Sequence, residues 1–290
     1  MRLGTRGSAL ALTQARWVAQ RLGPDVELVP ITTLGDRGAP VQDKSRWVSE
    51  LERALLDGRI DIAVHSAKDV PTELDAGLEL IAVPERADAR DAICGAPSLQ
   101  ALAGGARVGT SSLRRTAQLR ALRPDLEIVA LRGNVDTRLR KLAAGEADAL
   151  VLAYAGLQRL GREDEAGALL DALVPAAGQG ALVLEACAGA VARELLATVI
   201  DPVTTACLDA ERTLVPALGA SCHTPVGAHA VAIDAEVVEL TGWVGLPDGT
   251  AWLRDRVSGP PAQAGLRCAE RMLAAGAREL LAQAERLVAA

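Results

Sequence analysis

One cysteine lies in a segment that suits covalent chemistry. Cys222 occupies the turn-prone run 219–225, far downstream of an arginine-rich region. A thiolate is a strong nucleophile, although a single cysteine more often serves as a small buried hydrophobe. His223 follows directly, but neighbouring side chains diverge in an extended segment, which argues against a cysteine hydrolase that uses this base. The setting predicts that Cys222 bonds covalently to an anionic compound.

Arginines recur at one kind of place, just after a predicted strand ends. Open α/β sheets bind their ligands beyond the carboxyl ends of their strands. Thr110 and Ser112 add hydroxyl groups and the start of a helix, whose backbone N–H groups attract anions. A single arginine is usually a solvated or ion-paired surface residue, but repetition at equivalent places predicts a carboxylate site. The arginines of this set are Arg6, Arg114, Arg115, Arg132, Arg138 and Arg159.

A lysine and an aspartate stand side by side after another predicted strand. Lys68 and Asp69 lie in the run 65–71, which ends in Val-Pro. Asp69 is the candidate acid or base of the site. An aspartate before an extended X-Pro segment is also a common turn former, so both interpretations stay open at this point. His65 is interpreted as structural.

Composition argues against several classes of function. The 290 residues carry a formal net charge of -6, which disfavours general nucleic-acid binding because that function needs a basic face. No apolar run approaches the ~18 residues of a membrane span and no signal-peptide pattern opens the chain, so we expect a cytoplasmic protein without membrane contact. The five cysteines include no C-x-x-C pair, which predicts neither a disulfide framework nor a metal site.

Strand-like and helix-like runs alternate through the first two-thirds of the chain, which is the order of an α/β sheet. The first set comprises strands at 26–31 and 60–64 and a helix at 47–56. The second set comprises strands at 107–110, 128–131 and 149–153 and helices at 113–122 and 135–143. Proline, glycine and charge interrupt the pattern near 84–91 and 175–180.

The last third of the chain has a different pattern, typical of a small α+β domain. It comprises a helix at 203–214, alternating segments at 233–244, a turn at 247–249, a further strand and an amphipathic helix from 261 onward. The apolar run 181–184 follows the second set directly and predicts a strand that returns to the first sheet. A double crossover of this kind predicts two lobes with a cleft between them. The predicted domains are 1–86 with 178–199, then 87–177, then 200–290.

Six motifs together resemble the porphobilinogen deaminase family, also called hydroxymethylbilane synthases. They stand in the family's order at 3–8, 61–71, 109–115, 131–135, 137–139 and 219–225. The resemblance implies an α/β fold of two domains like type II periplasmic binding proteins, joined by hinges to a small α+β C-terminal domain that carries the thiol.

The resemblance also implies an activity. A member of this family is a transferase of haem-type tetrapyrrole biosynthesis, which joins four porphobilinogen molecules head to tail, releases ammonia at each step and yields hydroxymethylbilane. Cys222 would bear a dipyrromethane cofactor through a thioether. The implied partner is the small-molecule substrate alone, with no nucleic acid and no membrane, and the protein would be a monomer. The alternative is a catalytically impaired, two-lobed anion- or pyrrole-binding protein of the same fold.

Residue by residue, the resemblance assigns roles to the motif positions. Asp69 matches the catalytic aspartate and Cys222 the attachment cysteine. The positions that match ligand-binding residues are Arg6, Ser8, Ser66, Lys68, Thr110, Ser112, Arg114, Arg115, Arg132, Arg138 and Arg159.

Three positions depart from the family pattern. The family usually has a glycine-rich loop before the helix that is predicted here at 47–56, but 42–47 has no glycine and ends in Trp47. Gly7 stands where a lysine is common, and the run 185–188 lacks the arginine that usually follows Glu-Cys. We expect the loop change to alter the flexibility of a lid, and the two lost cations to weaken the binding of longer intermediates.

Overall fold

The computed structural model describes residues 1–32, 48–220 and 224–289. The chain divides into two compact units. Unit 1 comprises Met1–Ala87 and Gly180–Thr205, and unit 2 comprises Asp88–Gln179 and Ala206–Ala290. Each unit is therefore built from two separate stretches of the chain.

The described residues form strands and helices that alternate along most of the chain. The strands are β1 (Arg2–Arg6), β2 (Glu27–Ile31), β3 (Ile62–Ser66), β4 (Leu78–Ala82), β5 (Asp91–Cys94), β6 (Arg107–Gly109), β7 (Glu127–Val129), β8 (Ala149–Ala153), β9 (Ala166–Leu169), β10 (Leu182–Cys187), β11 (Val226–Ala232), β12 (Val238–Gly245) and β13 (Trp252–Gly259). The helices are α1 (Ala9–Leu22), α2 (Ser49–Leu56), α3 (Leu113–Leu122), α4 (Val135–Ala143), α5 (Tyr154–Arg159), α6 (Pro202–Ala217), α7 (Pro261–Ala274) and α8 (Ala277–Ala289).

Unit 1 contains a five-stranded sheet, sheet A, in the order β2-β1-β3-β10-β4. Strand β1 is parallel to β2 and β3, whereas β10 is antiparallel to β3 and β4. Its core is aliphatic: Leu3, Ile62 and Leu184 are among the fully buried side chains. The predicted return of the chain to the first sheet is confirmed, because β10 pairs with β3.

Unit 2 contains a second five-stranded sheet, sheet B, in the order β7-β6-β8-β5-β9. Strand β6 is parallel to β7 and β8, and β5 is antiparallel to β8 and β9. Each sheet thus has three parallel strands next to two others. The fourth strand of sheet A, β10, follows the stretch Asp88–Gln179 of unit 2 in the chain, and the fourth strand of sheet B, β5, follows the stretch Met1–Ala87 of unit 1. This is the predicted double crossover.

A third, smaller sheet of unit 2, sheet C, is antiparallel throughout, in the order β11-β12-β13. One apolar core joins it to α6, α7 and α8, with Leu214, Leu240 and Met272 buried. The predicted fold class, α/β with a small α+β C-terminal part, is confirmed. The three domain boundaries given above stay predictions.

For two helices and one strand, the predicted and the observed elements agree at both ends. Helices α3 and α4 and strand β8 have the predicted bounds. Four strands, β4, β5, β9 and β11, were not predicted, because each is short or lacks a clear alternation. The expectation of one C-terminal helix is wrong, since Gly276 adopts a φ of 98° that ends α7 before α8 begins. None of the helices within the described ranges has the length and apolar character that a membrane span needs.

Candidate functional site

Five of the predicted site residues lie at one edge of sheet A. Strands β1 and β3 are parallel neighbours, with Gly4 opposite Ala63, so both end at the same edge. Arg6 is the last residue of β1, and Ser8 caps α1 by accepting a hydrogen bond from the Ala11 N–H at 3.3 Å. A cation and a helix N-terminus therefore lie within three residues of each other, a combination that favours an anion.

The other three residues follow β3 at this edge. Ser66 ends the strand, and a single 3-10 turn, Ala67–Asp69, carries Lys68 and Asp69, whose side chains are both half-buried. The Ala67 N–H donates to the Ala181 carbonyl at 3.0 Å. This bond ties the turn to the start of β10, so the position of Asp69 depends on a strand that is remote in sequence.

In unit 2, hydroxyl groups gather where β6 ends. Thr110 is 2 % exposed and its Oγ1 accepts from the Ser112 N–H at 3.2 Å. Ser112 is the N-cap of α3, and its Oγ accepts from the Arg115 N–H at 3.4 Å. The Ser111 hydroxyl donates to the Leu131 carbonyl, which joins this segment to the one that follows β7. The strand-to-helix connection is thus fixed by its own side chains.

Two adjacent arginines of α3 share one buried carboxylate. Arg114 and Arg115 are 5 % and 6 % exposed, and Asp91, at the start of β5, is fully buried. Arg114 Nη1 lies 2.8 Å from Asp91 Oδ2, while Arg115 donates to Oδ1 from Nη2 at 2.8 Å and from Nε at 3.0 Å. Gln179 also donates to Oδ1 at 2.8 Å. Asp91 therefore orders both guanidinium groups.

The charges of this group do not balance. Burial alone would raise the pKa of Asp91, but the guanidinium groups of Arg114 and Arg115 hold it well below its usual range. Burial lowers the pKa of Arg114, and Asp91 opposes that shift. Two buried cations and one buried anion leave an excess positive charge, which a bound carboxylate would compensate. Each guanidinium has five N–H donors and makes three hydrogen bonds among the described residues. Arg114 donates to Asp91, Gln179 and the Val174 carbonyl, and Arg115 donates twice to Asp91 and once to the Val151 carbonyl.

The segment after β7 presents two more arginines at the same edge of sheet B. Arg132 is exposed, and Arg138 of α4 donates from Nε to the Gly133 carbonyl at 2.8 Å. Gly133 has a φ of 122°, a conformation that favours glycine and turns this carbonyl toward Arg138. Asn134 caps α4 by accepting from the Thr137 N–H at 2.9 Å.

Arg159 ends α5, the short helix that follows β8 directly. Burial lowers the pKa of its guanidinium to about 10, so the group remains charged at neutral pH but lacks full hydration. A desolvated cation gains more from an anionic ligand than a hydrated one does.

Two features of the sequence fall outside the described residues. Cys222 lies between 220 and 224, and the altered loop at 42–47 lies within 33–47. The structure brings the other predicted residues to the edges of two sheets, and the predicted cleft stays a prediction. Cys187, in the run that lacks the usual arginine, donates from Sγ to the Leu55 carbonyl at 3.5 Å.

Sequence reasoning missed two residues that organise this site. Asp91 and Gln179 lie in the stretches 84–91 and 175–180, which the sequence pattern marks only as interruptions between elements. Gln179 is 1 % exposed and donates to both the Ala89 carbonyl and Asp91. The available signal was a lone acidic residue before the apolar run 92–94, because a charge at the start of a buried strand requires a partner.

The fold and these residues define a class: an α/β protein with arginines and hydroxyl groups at the carboxyl ends of its parallel strands. Comparison with known proteins narrows this class. Residues 1–193 match the family model "Porphobilinogen deaminase, dipyromethane cofactor binding domain", and residues 205–274 match "Porphobilinogen deaminase, C-terminal domain".

Full-length relatives agree with the family models. Porphobilinogen deaminases from Deinococcus deserti and Roseiflexus castenholzii are 46% and 47% identical, covering 96% and 97% of this chain and 97% and 98% of their own length. The chain is thus a member of the porphobilinogen deaminase family, a family of enzymes, and it contains the family's dipyrromethane cofactor-binding domain.

Two solved structures align with about two-thirds of this chain at low sequence identity. The methionine-binding protein MetQ gives a TM-score of 0.44 at 15% identity, over 68% of this chain and 87% of that one. The periplasmic VFT2 domain of Bordetella pertussis BvgS gives 0.42 at 18% identity, over 67% and 83%.

Proposed function

We propose that this chain joins four porphobilinogen molecules head to tail, releasing one ammonia at each step, to give hydroxymethylbilane. The observation that carries the proposal is identity of 46% to a porphobilinogen deaminase along nearly the whole of both chains. The presence of Asp69, Cys222 and the eleven binding residues assigned by resemblance supports an active enzyme over the impaired binding protein.

The residues fit the ligands of this reaction. Porphobilinogen carries an acetate and a propionate, so a two-ring cofactor presents four carboxylates. The excess positive charge around Asp91 and the desolvated guanidinium of Arg159 suit such an anion. We assign Arg114, Arg115 and Arg159, with the Thr110 and Ser112 hydroxyls, to ligand carboxylates in unit 2.

The remaining binding residues complete this assignment. They are Arg132 and Arg138 in unit 2, and Arg6, Ser8, Ser66 and Lys68 in unit 1. Cys222 would hold the cofactor through a thioether. When bound, the dipyrromethane supplies the pyrrole carbon to which the first substrate is joined.

Asp69 has the catalytic role in this proposal. Loss of the aminomethyl nitrogen as ammonia leaves positive charge on a pyrrole ring, and a carboxylate near the ring N–H groups stabilises that charge. The same carboxylate can move a proton during the coupling. Lys68, its neighbour in the turn, would bind a substrate carboxylate, so the turn would both orient the ring and stabilise its charge.

Intact-mass spectrometry with peptide mapping tests the proposal. Freshly purified, active protein should carry a dipyrromethane adduct on Cys222, and the adduct should be absent from Cys222→Ser. Cys94 and Cys268 are internal controls that should remain unmodified, because burial raises the pKa of each thiol to about 11. Active protein with an unmodified Cys222 would contradict the thioether.

A turnover assay separates the enzyme from the binding protein. Ammonia and hydroxymethylbilane should appear together when porphobilinogen is added to the purified chain. Tight calorimetric binding of porphobilinogen without ammonia release would instead establish the impaired binding protein and refute the proposal.

A further inference from the structure

Three buried titratable side chains lie between sheet A and α2, and the proposed chemistry does not use them. His65, Glu185 and Glu52 are 5 %, 0 % and 5 % exposed. His65 and Glu185 share one face of the sheet, because Glu185 is opposite Ala63 on the neighbouring strand and His65 is two residues beyond Ala63. Ala63 packs with the apolar residues of α2, so this face is the one that α2 covers.

Histidine and glutamate are in direct contact within this cluster. His65 Nε2 lies 2.9 Å from Glu185 Oε2. Neither carboxylate oxygen of Glu185 has a hydrogen bond of good geometry among the described residues, so His65 is its main compensation for burial. Other carboxylates lie near this contact. Burial is the main cause that raises the pKa of Glu52 to about 7, and the negative charges of Glu185 and Asp75 add to it. A pair of this kind is weak evidence for stability, which suggests another reason for its presence.

The pair joins the two strands that hold the Ala67–Asp69 turn. His65 is the second-last residue of β3, and the turn follows the last one. Ser66 is opposite Leu182, and Ala67 bonds to Ala181, the residue just before β10. Because the His65–Glu185 contact joins β3 to β10 directly before these bonds, it helps to set where the turn begins.

We propose that His65 and Glu185 are positioning residues for Asp69: their buried contact fixes the end of β3 against β10, and so the place from which the turn presents Lys68 and Asp69. The inference rests on the proposed function, in which Asp69 is the catalytic residue. A misplacement of about 1 Å of a catalytic group can lower a rate by about 10².

Steady-state kinetics of cofactor-loaded protein tests the proposal. Glu185→Gln retains the shape of the side chain and removes its charge, and His65→Gln/Glu185→Gln removes both members of the pair so that no single one is left buried alone. We expect kcat to fall about tenfold or more in both variants, with KM within about twofold, because the arginines of unit 2 are unchanged. Glu79→Gln, on the adjacent strand β4 and exposed, is the matched control.

A double-mutant cycle with Asp69 tests whether the His65–Glu185 pair acts through that residue. In an Asp69→Asn background, Glu185→Gln should lower kcat by less than about twofold, because the group that it positions is already absent. An equal loss in both backgrounds, or kcat within about twofold of the native value in both pair variants, would overturn the proposal.

Amide hydrogen exchange keeps this test independent of the assigned reaction. In Glu185→Gln, the Ala67 and Val70 amides, which bond to Ala181 and Ala67, should exchange at least about tenfold faster, while those of β11 and β12 stay unchanged. Unchanged exchange at Ala67 and Val70 refutes the positioning role even if the chain proves to have another activity. Faster exchange in a chain without deaminase activity would refute the proposed function and leave the positioning role supported.

Discussion

Removal of the charge of Asp91 should destabilise unit 2 far more than removal of a surface carboxylate. Asp91→Asn keeps the size of the side chain but leaves Arg114 and Arg115 without their anion in a buried site, and its new amide hydrogens face other donors. Loss of one partner from a buried ion pair costs about 3–5 kcal/mol. The two short contacts at 2.8 Å place the expected loss in the middle of that range, about 4 kcal/mol.

Urea unfolding measures this loss. With an m-value of about 2–3 kcal/mol per M for a unit of this size, the midpoint should fall by about 1.5 M. Asp171→Asn is the matched control, because Asp171 pairs with Arg90 at 3.0 Å but its side chain is 77% exposed. Such a surface pair contributes about 0–1 kcal/mol, so the control midpoint should move by less than about 0.5 M.

The pH dependence gives a second check. The folded-state pKa of Asp91 is depressed, so its stabilisation is fully present above the unfolded pKa of about 4 and is lost as the pH falls toward the folded value. The difference between native protein and Asp91→Asn should stay constant from pH 8 to about pH 5 and shrink only below about pH 4. A loss below about 1 kcal/mol at pH 7, equal to that of the control, would refute the reasoning.

Three further predictions concern the turn, the buried cluster and a helix cap. Asp69→Asn should fold normally but lose about 10² or more in kcat, measured as ammonia release, whereas Asp57→Asn, an exposed surface change, should not; near-native turnover would remove Asp69 from the mechanism. The pKa of Glu52 is raised to about 7, so its stabilisation is complete below the unfolded pKa and is lost as the pH rises through about 7. Glu52→Gln should therefore melt about 7–14 °C above native protein at pH 8 and within about 4 °C of it at pH 5, and equal melting temperatures at pH 8 would contradict the raised pKa. Ser112→Ala should cost about 1 kcal/mol of unfolding free energy, and Ser112→Asn, which can also cap α3, should restore most of it; no loss in the alanine variant would show that the cap contributes little.

Local patterns in the sequence were enough to predict the class of fold and to select candidate binding residues. Helices α3 and α4 and strand β8 were predicted with their observed bounds, because Ser112 and Asn134 mark the helix starts and β8 is a short continuous apolar run. The arginines were identified by their recurrence after strands, a rule that depends only on the order of elements along the chain.

Only the tertiary structure decided which groups compensate these charges. Asp91 and Gln179 are more than twenty and more than sixty residues from Arg114, so their contacts follow from the pairing of β5 in sheet B and not from a spacing pattern. The contact between His65 and Glu185 likewise arises because β10 returns to pair with β3. Sequence therefore determined where the cations stand, because their placement follows local order. Burial and long-range strand pairing decided which anions pair with these cations, because the free-energy cost of a buried charge depends on neighbours that are distant in the chain.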